Sequence, residues 1–127
     1  MRKILIADDE ISLRFLISET LDDDDSEIYQ AKDGQEALEL VYEKKPDLLI
    51  LDVMMPKLTG YEVIEKLGTD KGNMKIMLLT AKAQLSDREK AMESGADYFL
   101  TKPFSPMELL DKVDNIFQLH SKKEEEL

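Results

Sequence analysis

The sequence has no cysteine, no tryptophan and a single histidine, His120. Without cysteine there are no disulfides, iron-sulfur clusters, thiol nucleophiles or cysteine-built zinc sites, and one histidine removes every site that needs two imidazoles. A bound metal would have to be held by oxygen. Long apolar runs are missing too. None approaches the roughly 20 residues that span a bilayer, and Met1-Arg2-Lys3 leads into a run too short for the core of a secretory signal. Basic residues are few beside acidic ones, 17 against 28, and the net charge of -11 repels nucleic acid phosphate and anionic membranes alike. The expectation is a soluble, cytoplasmic protein with no direct nucleic acid or membrane contact.

What is present fits one domain. The chain has 127 residues, against a prior of about 150 per domain, enough to bury roughly two-thirds of the unfolded surface without staples. Five short segments are nearly continuously apolar: Ile4–Ala7, Ile28–Ala31, Leu48–Leu51, Ile76–Leu79 and Tyr98–Leu100. Uninterrupted apolar strands indicate burial on both faces, as in a parallel sheet covered by helices. Ile28–Ala31 is the most polar and is expected at an edge.

Helical stretches separate these segments. Four open on a capping-box pattern: Asp33 with Glu36, Thr59 with Glu62, Ser86 with Glu89 and Ser105 with Glu108. Pro106 suits a first helical position, and Gly95 the stop of the helix before it. The first helix lacks a box but carries a stripe of Leu13, Leu16, Ile17, Thr20 and Leu21. The order is βα repeated five times, so the fold class is α/β: a doubly wound parallel five-stranded sheet, order 2-1-3-4-5, with right-handed crossovers.

In such a sheet the carboxyl ends of all strands share one edge, and ligands bind where the winding reverses. Asp8, Asp9 and Glu10 follow the first strand, Asp52 the third, Thr80 ends the fourth, and Lys102-Pro103 follow the fifth. Three converging carboxylates repel one another unless a cation joins them. With few ligands, all oxygen, Mg2+ fits best, held by Asp9 and Asp52 directly and by Asp8 through water. Lys102 adds an ammonium suited to a phosphoryl oxygen, and Thr80 a hydroxyl. Three carboxylates, Mg2+ and one lysine sum to about zero charge, and an acyl phosphate on one carboxylate brings the total to about -1. The pattern suits an aspartate that accepts a phosphoryl group.

Four stretches carry a family resemblance: Ile4-Leu5-Ile6-Ala7-Asp8-Asp9-Glu10, Leu51-Asp52-Val53-Met54-Met55-Pro56 running to Gly60, Leu79-Thr80-Ala81-Lys82, and Lys102-Pro103-Phe104. In these the chain resembles the receiver domain of two-component response regulators. The resemblance implies the flavodoxin-like receiver fold over residues 1–120. From the chain's organisation 121–127 is expected as a short charged tail, a solvated extension of the last helix, with no output domain. The resemblance also implies Asp52 as phosphoacceptor, Mg2+ bound by Asp9 and the Met54 backbone carbonyl, and Thr80 and Lys102 on the phosphoryl group. A cis Lys102-Pro103 bond and Phe99 as the switching aromatic complete the set. The implied function is a signalling switch rather than an enzyme. A histidine kinase or phosphotransfer protein would be the donor, and an unidentified downstream protein would bind the face of the fourth helix, fifth strand and fifth helix. A monomer is expected, with dimerisation on phosphorylation left open. Phe99 stands where tyrosine is more usual, so its ring lacks a hydroxyl. Met54 and Lys82 sit at positions that tune phosphoryl lifetime, and an apolar Met54 orients no water, which leans toward a longer lifetime.

Other readings are weaker. A magnesium-dependent phosphatase wants an Asp-x-Asp pair after the first strand, and Asp8-Asp9-Glu10 is not one. A flavodoxin-like electron carrier wants a Gly/Ser/Thr-rich phosphate cradle there. Asp22–Asp25 lacks the alternating spacing of a calcium loop and is expected as solvated loop, His120 as surface, and the seven methionines as core filler. Ile11, Arg14, Phe15 and Ser18 fall opposite the stripe of the first helix, and the two large apolar residues among them, Ile11 and Phe15, start next to Asp8-Asp9. These two are expected, with Phe104 as a neighbour, to dock the kinase.

Overall fold

A computed structural model describes residues 1–81 and 93–126, with side chains described through 118. The elements are β1 (Arg2–Ala7), α1 (Ile11–Leu21), β2 (Ser26–Ala31), α2 (Gly34–Lys44), β3 (Leu48–Asp52), α3 (Gly60–Leu67), a 3-10 turn (Gly68–Lys71), β4 (Lys75–Ala81), β5 (Tyr98–Lys102) and a C-terminal helix (Pro106–Glu126). All strand pairs are parallel, in the order β2-β1-β3-β4-β5, with β2 at an edge. Residues expected to form a fourth helix, with the Ser86/Glu89 box and Lys82, lie outside the described residues.

The apolar strands are buried on both sides for the reason their composition suggests. Leu5, Ala7, Leu49, Leu51, Ile76 and Leu78 face α2 and α3 in one layer. Ile4, Ile6, Leu48, Ile50, Met77 and Leu79 face α1 and the C-terminal helix in the other. Two-residue alternation along each strand divides these runs between the faces. Strands extend beyond their apolar cores, so Asp52 and Lys102 are the last residues of β3 and β5 rather than the first residues of loops.

The caps are realised unevenly. Thr59 and Glu62 form the full reciprocal box. Asp33 accepts from the Glu36 N–H at 2.8 Å, but the Glu36 carboxylate takes the Lys32 N–H instead of closing the box. Ser105 Oγ accepts from the Glu108 N–H at 3.1 Å, and the helix begins at Pro106. Gly95 has φ +101, the left-handed backbone that a helix stop favours.

Two expectations are corrected. On α1, Leu16 is 40% exposed, because the buried face centres between Ile17 and Leu21. At about 100° per residue Leu16 lies roughly 120° from that centre and Arg14 only about 40°. The methionines are not uniformly core filler: Met55, Met74 and Met77 are buried, whereas Met1, Met54 and Met107 are exposed. Asp22–Asp25 is exposed, and no helix among the described residues is long and apolar enough to cross a membrane.

Urea unfolding checks the corrected helix face. Ile17→Ala is expected to cost about 3 kcal/mol and Leu16→Ala under about 1 kcal/mol. Equal losses would restore the wider stripe.

Candidate functional site

The register brings the predicted residues to one edge. Ala7 pairs with Leu51, Asp52 with Leu79, Thr80 with Thr101 and Ala81 with Lys102, so β1, β3, β4 and β5 end together. One carboxylate oxygen from each of Asp8, Asp9 and Asp52 lies within 4.8 Å of the others. Asp8 is fully buried, Asp52 is 7% exposed and Asp9 is exposed.

Lys102 ties this cluster together. Its Nζ donates to Asp8 Oδ2 at 3.1 Å and sits 3.3 Å from Asp52 Oδ1. The second Asp8 oxygen accepts the Glu10 N–H at 2.8 Å, so Asp8 is engaged at both oxygens. Burial raises the Asp52 pKa, and Asp8 adds to it. Lys102 offsets only part of the rise, and Asp9 contributes a further push, leaving Asp52 at about 6. Burial disfavours the Lys102 ammonium, but the Asp52 and Asp8 carboxylates outweigh it and hold its pKa above the ordinary value. One ammonium does not neutralise three carboxylates. The cluster, all oxygen, repulsive and open at Asp9, therefore has the donor chemistry of a divalent cation site, and Mg2+ fits it.

Thr80 is 5% exposed. Phe99 pairs with Leu78 and Thr80 with Thr101, so Thr80 and Phe99 project from the same face of the sheet, where Phe99 packs half-buried against the α2–α3 layer. The Lys102-Pro103 bond is cis. Ile11 and Phe15 are 73% and 63% exposed. Phe104 is half-buried against the layer of α1 and the C-terminal helix. The Met54 side chain is exposed two residues beyond Asp52.

Arg14 was not anticipated. Placed on the outer side of the first helix by periodicity, it is half-buried, with Nη1 donating to the Asp8 carbonyl at 2.8 Å and Nε to Gln30 Oε1 at 3.3 Å. It anchors the β1–α1 loop to β2. A cleft of about 730 Å3 lies at the opposite, amino-terminal edge of the sheet, lined by Tyr42, Pro46, Met74 and Phe117 among others. That cleft carries charged side chains of both signs, Asp25, Lys45, Asp47, Asp70 and Lys71 among them, whereas the three-carboxylate cluster lies at the carboxyl-terminal edge, which is the candidate site.

A sequence profile of the response regulator receiver domain matches residues 4–114. The chain belongs to that family. This receiver domain is 43% identical over 117 residues to the alkaline phosphatase synthesis transcriptional regulatory protein PhoP of Bacillus subtilis (strain 168), covering 92% of this chain and 49% of PhoP. It is 44% identical over 111 residues to the probable transcriptional regulator ycf27 of Galdieria sulphuraria, covering 87% and 43%. The chain spans about half the length of the curated relatives it matches. Among solved structures, the chemotaxis protein CheY4 of Vibrio cholerae superposes with a TM-score of 0.82 at 34% identity, over 91% of this chain and 98% of that one. Membership in this family is consistent with phosphorylation-dependent signalling.

The raised proton affinity of Asp52 has a consequence for stability. A carboxyl titrating near 6 when folded, against an ordinary 3.8, binds more protons folded than unfolded between those values. Stability is therefore highest below about pH 4 with respect to this group and falls as pH rises through about 6. In divalent-free buffer Asp52→Asn is expected to stabilise the protein at pH 8 by about 1–2 kcal/mol, allowing for solvent in the pocket, with the gain vanishing near pH 4. An asparagine variant less stable than wild type at pH 8 would contradict this electrostatic reading.

Proposed function

We propose that the chain is a phosphorylation-controlled switch that receives a phosphoryl group on Asp52 from a histidine kinase or phosphotransfer protein, and that Mg2+ assists. The observation that carries this reading is Lys102 Nζ lying between Asp8 and Asp52, at 3.1 and 3.3 Å, in the three-carboxylate cluster. An Asp52 oxygen attacks phosphorus as the bond to the donor nitrogen breaks, and the departing imidazole takes up a proton. Asp8, Asp9, Asp52 and the Met54 carbonyl would hold Mg2+. Bound there, it supplies charge neutralisation for the carboxylates and the transferring oxygens. Lys102 pairs with one phosphoryl oxygen through its ammonium, and Thr80 donates its hydroxyl to another. Drawn toward the phosphoryl group, Thr80 leaves space on the sheet face it shares with Phe99, and the ring moves toward it. The face beside β5 and the C-terminal helix changes accordingly and binds a downstream protein.

The receiver unit is assigned to residues 1–120, with 121–127 as a charged extension. The chain assists its own phosphorylation and is not otherwise assigned a turnover activity. Ile11 and Phe15 are assigned to the donor's docking face, supported by their exposure immediately after the acidic pair, with Phe104 at its margin.

Two experiments test this reading. With a small-molecule phosphodonor and Mg2+, the intact protein should gain about one phosphoryl mass, and Asp52→Asn should gain none. Undiminished labelling of the variant would overturn the assignment. Phe15→Ala should keep its melting temperature and its labelling by the small donor, yet accept phosphate from its kinase at least roughly tenfold more slowly, about 1.4 kcal/mol of docking. Unimpaired transfer would remove Phe15 from the docking face.

A further inference from the structure

The loop that follows Asp52 is held at two points by glycines whose φ angles are not positive, so each is needed for close approach rather than for a turn. At the far end Gly60 donates its N–H to the Val53 carbonyl at 2.8 Å, and a Cβ there would stand 2.5 Å from the Asp52 carbonyl oxygen. Midway, Pro56–Leu58 bends against the start of α2. A Cβ on Gly34 would stand 2.1 Å from the Leu58 carbonyl oxygen and 2.6 Å from its Cβ, and the Gly34 N–H donates to the Pro56 carbonyl at 3.4 Å. Backbone lies in the way, so no rotamer change could make room.

Between these contacts Lys57 has φ +69, a left-handed conformation that is strained for an L-residue and persists only when the surroundings hold it. Its Nζ lies 3.6 Å from Asp33 Oδ2, while Asp33 Oδ1 caps α2 through the Glu36 N–H. Lys57 is largely exposed, so the ion pair itself contributes little. The cap does more: Asp33 is buried, and its carboxylate fixes the first turn of α2, from which Gly34 meets the loop. Val53 and Met55, between Asp52 and the bend, are buried in the same layer as α2, so displacement of the bend has no solvent-side slack to absorb it.

We propose that Asp33 and Gly34 are positioning residues for the phosphoacceptor loop: the capped start of α2, pressed against Pro56–Leu58, sets where Val53–Met55 lies beside Asp52, and with it the divalent-cation affinity of the acidic cluster. This rests on the reading of Asp52 and its neighbours as the cation and phosphoryl site.

The test compares Asp33→Ala, Asp33→Asn and Gly34→Ala, each confirmed folded by far-UV circular dichroism at low temperature. The readouts are the amide chemical shifts of Val53, Met54 and Met55 without metal, and the Mg2+ dissociation constant. Asp33→Ala should move these amides and weaken Mg2+ binding at least roughly threefold, while Asp33→Asn, which keeps the cap, should restore both. Gly34→Ala should weaken binding at least roughly tenfold. Unchanged amides and Mg2+ affinity in a folded Asp33→Ala or Gly34→Ala protein would overturn the proposal, and so would failure of asparagine to rescue. Should Gly34→Ala not fold, the Asp33 pair decides. Failure of the underlying reading is seen separately, as phosphoryl label on Asp52→Asn protein, and does not alter the amide comparison.

Discussion

The position of the Lys102 ammonium between Asp8 and Asp52 is the contact on which the site depends. It exists only because β5 lies next to β4, β4 next to β3 and β3 next to β1, so that residues 94 positions apart in sequence meet at 3.1 Å. A sheet wound in another order would leave three carboxylates without a cation of their own. Even as built, one ammonium falls short of three negative charges, and Asp52 is left with an unusually high proton affinity. Three carboxylates against one ammonium thus put the pocket under electrostatic tension of the kind a divalent cation would relieve. The fold tolerates that tension because two apolar layers stabilise the sheet beneath it.

Rigidity around the pocket comes from short-range contacts rather than from the core alone. The β1–α1 loop is fixed by the Glu10 N–H on Asp8 and by Arg14 on the Asp8 carbonyl. The β3–α3 loop is closed by Gly60 on Asp52 and braced by α2 at Gly34. Carboxylates that approach one another so closely need such fixed backbones, since a looser loop would let them separate. Exposed apolar side chains flank the acidic residues, Ile11 and Phe15 within six positions of Asp9 and Met54 two beyond Asp52, and in the proposed function Ile11 and Phe15 are what an approaching donor would meet.

Much of this was legible in the sequence, and for identifiable reasons. Strands buried on both faces cannot afford polar residues in their centres, so Leu48–Leu51 and Ile76–Leu79 announce themselves, and the alternation with helices then brings Asp8, Asp52, Thr80 and Lys102 to one edge. The rest depended on tertiary detail. Leu16 and Arg14 exchange their expected environments because α1 is rotated slightly on the sheet, and arginine is long enough to find a partner where its Cα faces partly inward. The Glu36 carboxylate takes the Lys32 N–H rather than the Asp33 N–H that a reciprocal capping box would give it. Gly34 carries no turn signal, since its requirement is the nearness of Leu58, 24 residues away. Exposure of Met54 and Met107 is likewise invisible to composition, because methionine suits core and surface alike.

Locating the label shows whether the phosphoryl group resides on Asp52, as proposed. Borohydride reduces an acyl phosphate to an alcohol, so trapping the freshly phosphorylated protein converts the labelled aspartate to homoserine, which peptide sequencing by mass spectrometry then places. Homoserine is expected at position 52. Homoserine at position 8 or 9, or a label that resists reduction and maps to His120, would contradict the proposal.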